Sequence, residues 1–110
     1  MVGKPNTLIV MIKINYPQSN EILFLRGDIN YTEFHLVDGK KVVSSFTLLR
    51  HQEKLGGFIR VSKNHLVNPE YVEEMELFGV YASLKMANGN LLKISRRRIN
   101  YVKNSISIIK

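Results

Sequence analysis

Three consecutive arginines, Arg96, Arg97 and Arg98, follow Ser95 near the end of the chain. A guanidinium is a planar fork of donors that matches phosphate oxygens and the guanine edge. The stretch around them, residues 93–110 (KISRRRINYVKNSISIIK), holds six basic residues and no acidic one. Ser95 is a natural N-cap, because its hydroxyl can accept from an orphan N–H of a first helical turn. Ile99, Val102, Ile106 and Ile109 then recur at helical spacing. The pattern predicts a short capped helix that offers arginines at its N-terminal end, where the backbone also favours anions. Three successive helical positions cannot face one way, so one or two of these arginines would face solvent or pair with an acid.

Other residue types capable of chemistry form no such constellation. His35, His51 and His65 match no metal-ligand spacing. Glu70, Glu73, Glu74 and Glu76 have no partner base and read as a solvated face. There is no Ser/His/Asp series, no glycine-rich phosphate loop and no cofactor motif. An enzyme, a cofactor, a metal and a small-molecule substrate are therefore not expected. The chain has no cysteine, which excludes a disulfide framework and thiolate metal sites and suits a reducing cytoplasm.

At 110 residues the chain fits one domain. Its net charge of +7 and pI near 9.8 call for a polyanionic partner. Nucleic acid is the first candidate and an anionic membrane surface the second. The excess is uneven. Residues 1–57 carry seven Lys/Arg against five Asp/Glu, whereas residues 58–110 carry nine against four. No apolar run approaches the roughly 20 residues needed to span a bilayer. The run TLIVMIKINY is interrupted by Lys13 and lacks the charged start and cleavage site of a signal peptide.

The elements that must position the arginines are mostly strands. Residues 1–6 are a loose lead-in, and residues 7–15, rich in Ile and Val, read as a first strand. Residues 21–26 (EILFLR) read as a short buried strand ended by Gly27-Asp28, and residues 29–37 (INYTEFHLV) as the next. There Tyr31, Glu33 and His35 share one face. Asp38-Gly39 is a hairpin signal, and residues 40–46 return. Residues 47–55 switch to helical period, with Thr47 as cap, Leu48, Leu49 and Leu55 as the stripe, and Gly56-Gly57 as the stop. Residues 58–61 and 65–67 are extended around a polar loop at 62–64. Asn68-Pro69 opens a tight turn that the Asn68 side chain pins. Strands at 73–78 and 80–86 follow, then the hairpin signal Asn88-Gly89 and a strand at 90–94. The expected fold is mainly β, with one short internal helix and a C-terminal helix. There is no repeat and no linker.

Taken in this order, the second half resembles a LytTR-type DNA-binding domain, the output domain of many bacterial response regulators. The family's series runs roughly F-x-R-x-H-R-S, an aromatic, V-N, a strand pair, then S-R-R and a helix. Phe58, Arg60, Val67-Asn68, Tyr71-Val72, Asn88-Gly89 and Ser95-Arg96-Arg97 fall in register. Upstream, Asn30-Tyr31 and Asp38-Gly39 match a corresponding segment. The resemblance spans about residues 21–106. It divides the chain into residues 1–20, a lead-in with a first strand, and residues 21–110, the LytTR-like domain, within a single domain overall.

The resemblance implies a compact fold of about ten strands whose loops enter successive major grooves of double-stranded DNA, usually at paired direct repeats with a second copy alongside. Carried over by position, it implies base contacts from Arg97, Lys63 and Tyr31 or Asn30. It implies phosphate contacts from Arg60, Ser62, Asn64, Arg96 and Arg98. The usual His-Arg-Ser reads Ser62-Lys63-Asn64 here, so a point charge replaces a bidentate fork. The first loop is shorter than in many members. His65 occupies the aromatic slot and is expected to pack. Arg60 either contacts phosphate or pairs with one of the glutamates between 70 and 76, and Tyr31 is either a base contact or a half-buried strand tyrosine.

The leading expectation is a sequence-specific DNA-binding transcription regulator acting in the bacterial cytoplasm. No receiver domain precedes the motif, and Met1 favours a stand-alone regulator over a fragment. The alternative is a protein-interaction module controlled by a regulatory partner, such as a membrane-bound inhibitor, since small family members of that kind exist. An RNA-binding barrel would want aromatics gathered on a basic sheet face. With no Trp and scattered Tyr and Phe, it ranks last.

Overall fold

The computed structural model describes residues 16–109, with side chains through Ser107. The strand expected at residues 7–15 lies outside the described residues. Eight strands are present among those described: β1 (Ile22–Gly27), β2 (Thr32–Leu36), β3 (Lys41–Ser44), β4 (Ile59–Arg60), β5 (His65–Val67), β6 (Val72–Phe78), β7 (Tyr81–Met86) and β8 (Leu91–Lys93). Helix α1 is Leu48–Lys54 and helix α2 is Ile99–Ile109, preceded by a 3-10 turn at Arg96–Arg98. The mainly β expectation, with one internal and one terminal helix, is what the chain adopts.

The strands form two antiparallel sheets, ordered β3-β2-β1-β5-β4 and β6-β7-β8. β1 is central because its sequence, ILFL, is apolar without alternation, as a strand covered on both faces requires. A register irregularity between Ile22 and Phe24 breaks the usual alternation and puts the adjacent Leu23 and Phe24 on one side. Ile22 and Leu25 pack with Phe34, Leu48, Leu55 and Leu66 on the α1 side. Leu23 and Phe24 pack with Val61, Val67, Leu84, Ile94 and Val102 on the side of the second sheet and α2. Gly27 lets α1 approach closely, since a Cβ there would sit 3.0 Å from Leu48 Cβ.

Local signals explain most boundaries. Thr47 caps α1 by accepting from the Arg50 N–H at 3.4 Å. Gly39 and Gly89 take the positive φ that their hairpin turns need, 91° and 94°. Asn68, 4% exposed, pins its turn as expected. It accepts from the Glu70 N–H at 3.0 Å and donates to the Ser19 and Ile22 carbonyls at 3.0 and 2.9 Å. β7 alternates faces, with Ala82, Leu84 and Met86 buried and Tyr81 exposed. Ile99, Val102 and Ile106 pack α2 onto the second core.

Three expectations are corrected. Residues 29–31 are not strand: β2 starts at Thr32. The Asp28 N–H donates to the Tyr31 carbonyl at 2.8 Å, and the Asp28 carboxylate accepts from the Ile29 N–H at 2.7 Å, so local bonds replace the ladder. Leu49 is exposed while Leu48 and Leu55 are buried, because a seven-residue helix offers the core one narrow stripe. Ser95 stands at the N-cap but its side chain makes no cap bond. Instead its backbone carbonyl accepts from the Arg98 N–H at 2.8 Å, closing the tighter 3-10 turn.

Candidate nucleic-acid interface

Three loops from different parts of the chain meet on one side of the domain. Loop 1 (residues 28–31) joins β1 to β2, loop 2 (residues 62–64) joins β4 to β5, and loop 3 (residues 95–98) follows β8. Two backbone hydrogen bonds fix loop 2 and its flanks between the other two. The Gly27 N–H donates to the Asn64 carbonyl at 2.7 Å, and the Ser95 N–H donates to the Val61 carbonyl at 2.8 Å. The spacing of the loops is thus set by main chain rather than by flexible side chains.

Loops 2 and 3 line an open cleft of about 920 Å³ that gathers Arg60, Ser62, Lys63, Asn64 and Arg96–Arg98. A smaller groove joins Asp28 and Ile29 of loop 1 to Lys63, Asn64 and the start of α1. Seven of the nine residues singled out from sequence therefore come together. Asn30, exposed, and Tyr31, partly exposed, lie in loop 1 beside that groove without lining it. The Asp28 carboxylate raises the pKa of the Tyr31 phenol, through a hydrogen bond first and its charge second.

Arg60 has a definite place. Its guanidinium donates from Nε to the Ser62 carbonyl at 2.8 Å, from one terminal nitrogen to Gln52 Oε1 at 2.6 Å, and from the other to the Lys63 carbonyl at 2.8 Å. Its partners are α1 and loop 2, not a glutamate of the 70–76 cluster. Burial first, then the charge of Arg98, lowers its pKa. Ser62 Oγ accepts from the Asn64 N–H at 3.2 Å, so the loop is braced from within as well. The side chains of Lys63 and Asn64 are left exposed.

The cleft's charge is uncompensated. Among the described residues Arg26 pairs with Glu33 and His35 hydrogen-bonds the same carboxylate at 3.1 Å, and neither contact involves a cleft cation. Lys63, Arg96 and Arg97 are exposed and Arg98 half-buried, and among the described residues none of the four has a carboxylate partner. His65 lines the cleft with its ring centroid 5.9 Å from that of Phe24. Burial, then Arg26, then His35 lower its pKa, which keeps it a packing residue at neutral pH.

Sequence reading missed three participants. Gln52 anchors Arg60, and no motif pointed to it. Tyr81 and Lys93 line the far end of the cleft, with Lys93 Nζ 5.2 Å from the Tyr81 ring centroid. The sequence marks Tyr81 only as part of a strand at 80–86, and the fold shows what it faces. Among the described residues no group of His, Cys, Asp and Glu is placed to hold a metal ion, and no helix is long and apolar enough to cross a membrane.

Comparison with known proteins agrees with this architecture. The LytTr DNA-binding domain of a Bacillus cereus protein named as a methyl-accepting/DNA response regulator superposes with a TM-score of 0.70, at 17% identity, over 80% of this chain and 83% of that one. No curated protein matches the chain at a significant level. The family model of the LytTr DNA-binding domain matches residues 11–107, nearly the whole chain, and the protein belongs to that family.

Proposed function

We propose that the protein binds double-stranded DNA sequence-specifically as a bacterial transcription regulator, with its three loops entering successive major grooves. The observation that carries this reading is the clamped row of loops, braced by main-chain hydrogen bonds and loaded with cations that have no carboxylate partner among the described residues. A body 45 Å long has room to follow one helical turn, about 34 Å.

In this reading Arg97 forks onto a guanine edge from loop 3 and Lys63 reaches a base from loop 2. Asn30 and Tyr31 supply the contact from loop 1. Arg96, Arg98, Ser62 and Asn64 take phosphates. Arg60 keeps the loop in shape and has two of its five N–H groups left for a phosphate. Paired direct repeats, each holding one copy, are the expected target arrangement. Titration of labelled duplexes selected from a random library tests the reading. Affinity that ignores sequence, or that survives Arg97→Ala unchanged, overturns it.

One observation favours the second reading, a protein-interaction surface. The tip of the β6–β7 hairpin exposes Leu77, Phe78 and Val80. Copurification of a protein partner by a chain with no affinity for duplex DNA would select that reading instead.

A further inference from the structure

The cleft does not end at the three loops. It continues onto the second sheet, where Tyr81 of β7 and Lys93 of β8 form its far wall. Ser83 pairs with Lys93 across the two strands, so Tyr81 sits on the diagonal, within reach of a long side chain on the same face. Lys93 Nζ lies 5.2 Å from the centre of the Tyr81 ring, a cation–π distance. The ring acts as a shelf that limits where the ammonium goes, which reduces the entropy lost when it meets an anion. No carboxylate lies within ion-pair distance of Lys93 among the described residues.

The charges on this sheet face are also segregated. In the order β6-β7-β8, Lys93 is on the β8 side, adjoining loop 3. Glu76 and Glu74 are on the β6 side, paired with Ser83 and Lys85 of β7. A polyanion laid along the loops is attracted up to Lys93 and repelled beyond Tyr81. We propose that Lys93, shelved on Tyr81, is a fourth DNA contact that binds a backbone phosphate next to the groove occupied by loop 3. The acidic β6 edge marks where the footprint stops. This rests on the DNA-binding reading above and extends it from three loops to a strand pair.

The contact is to phosphate, so it carries no sequence information. Replacing Lys93 by Ala is expected to weaken binding to all duplexes alike and to lower the slope of log affinity against log salt by about 0.9, the share of one phosphate. Lys93→Arg should keep that slope. Tyr81→Phe keeps the shelf and should bind as the parent does. Tyr81→Ala should weaken binding, and combined with Lys93→Ala should add little further loss. Lys85→Ala, on the same sheet but outside the cleft, serves as the control and should leave the slope unchanged. If Arg97→Ala impairs binding while Lys93→Ala changes neither affinity nor slope, the fourth contact is wrong and the three-loop reading stands. If neither substitution has an effect, both are wrong. Full binding by Tyr81→Ala overturns the shelf.

Discussion

The guanidinium of Arg60 lies 2.6 Å from the side-chain oxygen of Gln52, joining β4 to α1 directly behind the loop that carries Lys63. The same fork holds the Ser62 and Lys63 carbonyls. Loop 2 therefore owes its shape to one side chain with three acceptors. Lysine in its place keeps the charge but not the fork. Arg60→Lys is expected to speed amide exchange at residues 62–64 and to weaken DNA binding several-fold on every sequence, with the melting temperature little changed. Unaltered exchange in that variant would show that the loop is held by something else.

Arg97 is the residue that the proposed reading assigns to a base. Its removal is expected to cost about 1–3 kcal/mol of discrimination at one base pair. Library selection with Arg97→Ala should return sites in which one position has become degenerate and the rest are kept. A uniform loss across all positions would instead make Arg97 a phosphate contact.

Asn68 stands away from the cleft and serves the fold. Its amide makes three hydrogen bonds in a nearly closed site. Asn68→Ala leaves two carbonyls and one N–H without that partner and should cost about 2–3 kcal/mol of stability. Denaturant titration measures this, and the folded fraction should still bind DNA with parental affinity.

His51 is buried between Tyr16 and Ser44, with Nδ1 2.8 Å from the Tyr16 hydroxyl and Nε2 2.9 Å from Ser44 Oγ. Burial first, then Lys54 and Arg50, pushes its pKa down to about 4. The folded state thus resists a proton that the unfolded chain accepts near its ordinary pKa of about 6.5. Stability is full above that value and falls as pH drops towards about 4. His35 and His65, also lowered by burial, add in the same direction. Melting temperatures should agree at pH 7 and 8 and decline from pH 6 to 4, less steeply in His51→Gln.

Much of this was legible in the chain. The Asp38-Gly39 and Asn88-Gly89 turns, the Thr47 cap, the strand at 80–86 and the apolar spacing of α2 are local signals. Each is written within a few residues and survives folding unchanged. Where neighbours distant in sequence decide, sequence reading went astray. Tyr31 sits in a residue pattern suited to a strand, yet Asp28 draws its backbone into a turn. Ser95 has the side chain of a cap, but its main chain is engaged by Val61 and Arg98. The sequence leaves Arg60 open to a phosphate or a glutamate, whereas its first obligations are to Gln52 and two carbonyls. Lys93 looked like part of a basic run until β7 brought Tyr81 beneath it.

The central strand has a thermodynamic consequence for the DNA face. β1 supplies side chains to both cores, so neither can melt while the other stays intact. Its last residue, Gly27, also ties loop 1 to loop 2 through Asn64. If the loops bind DNA as proposed, the binding free energy gained there is shared by the whole domain as one cooperative unit. A specific duplex should therefore raise the melting temperature reported by the Tyr16–Phe34–His51 cluster, although none of those rings lines the cleft.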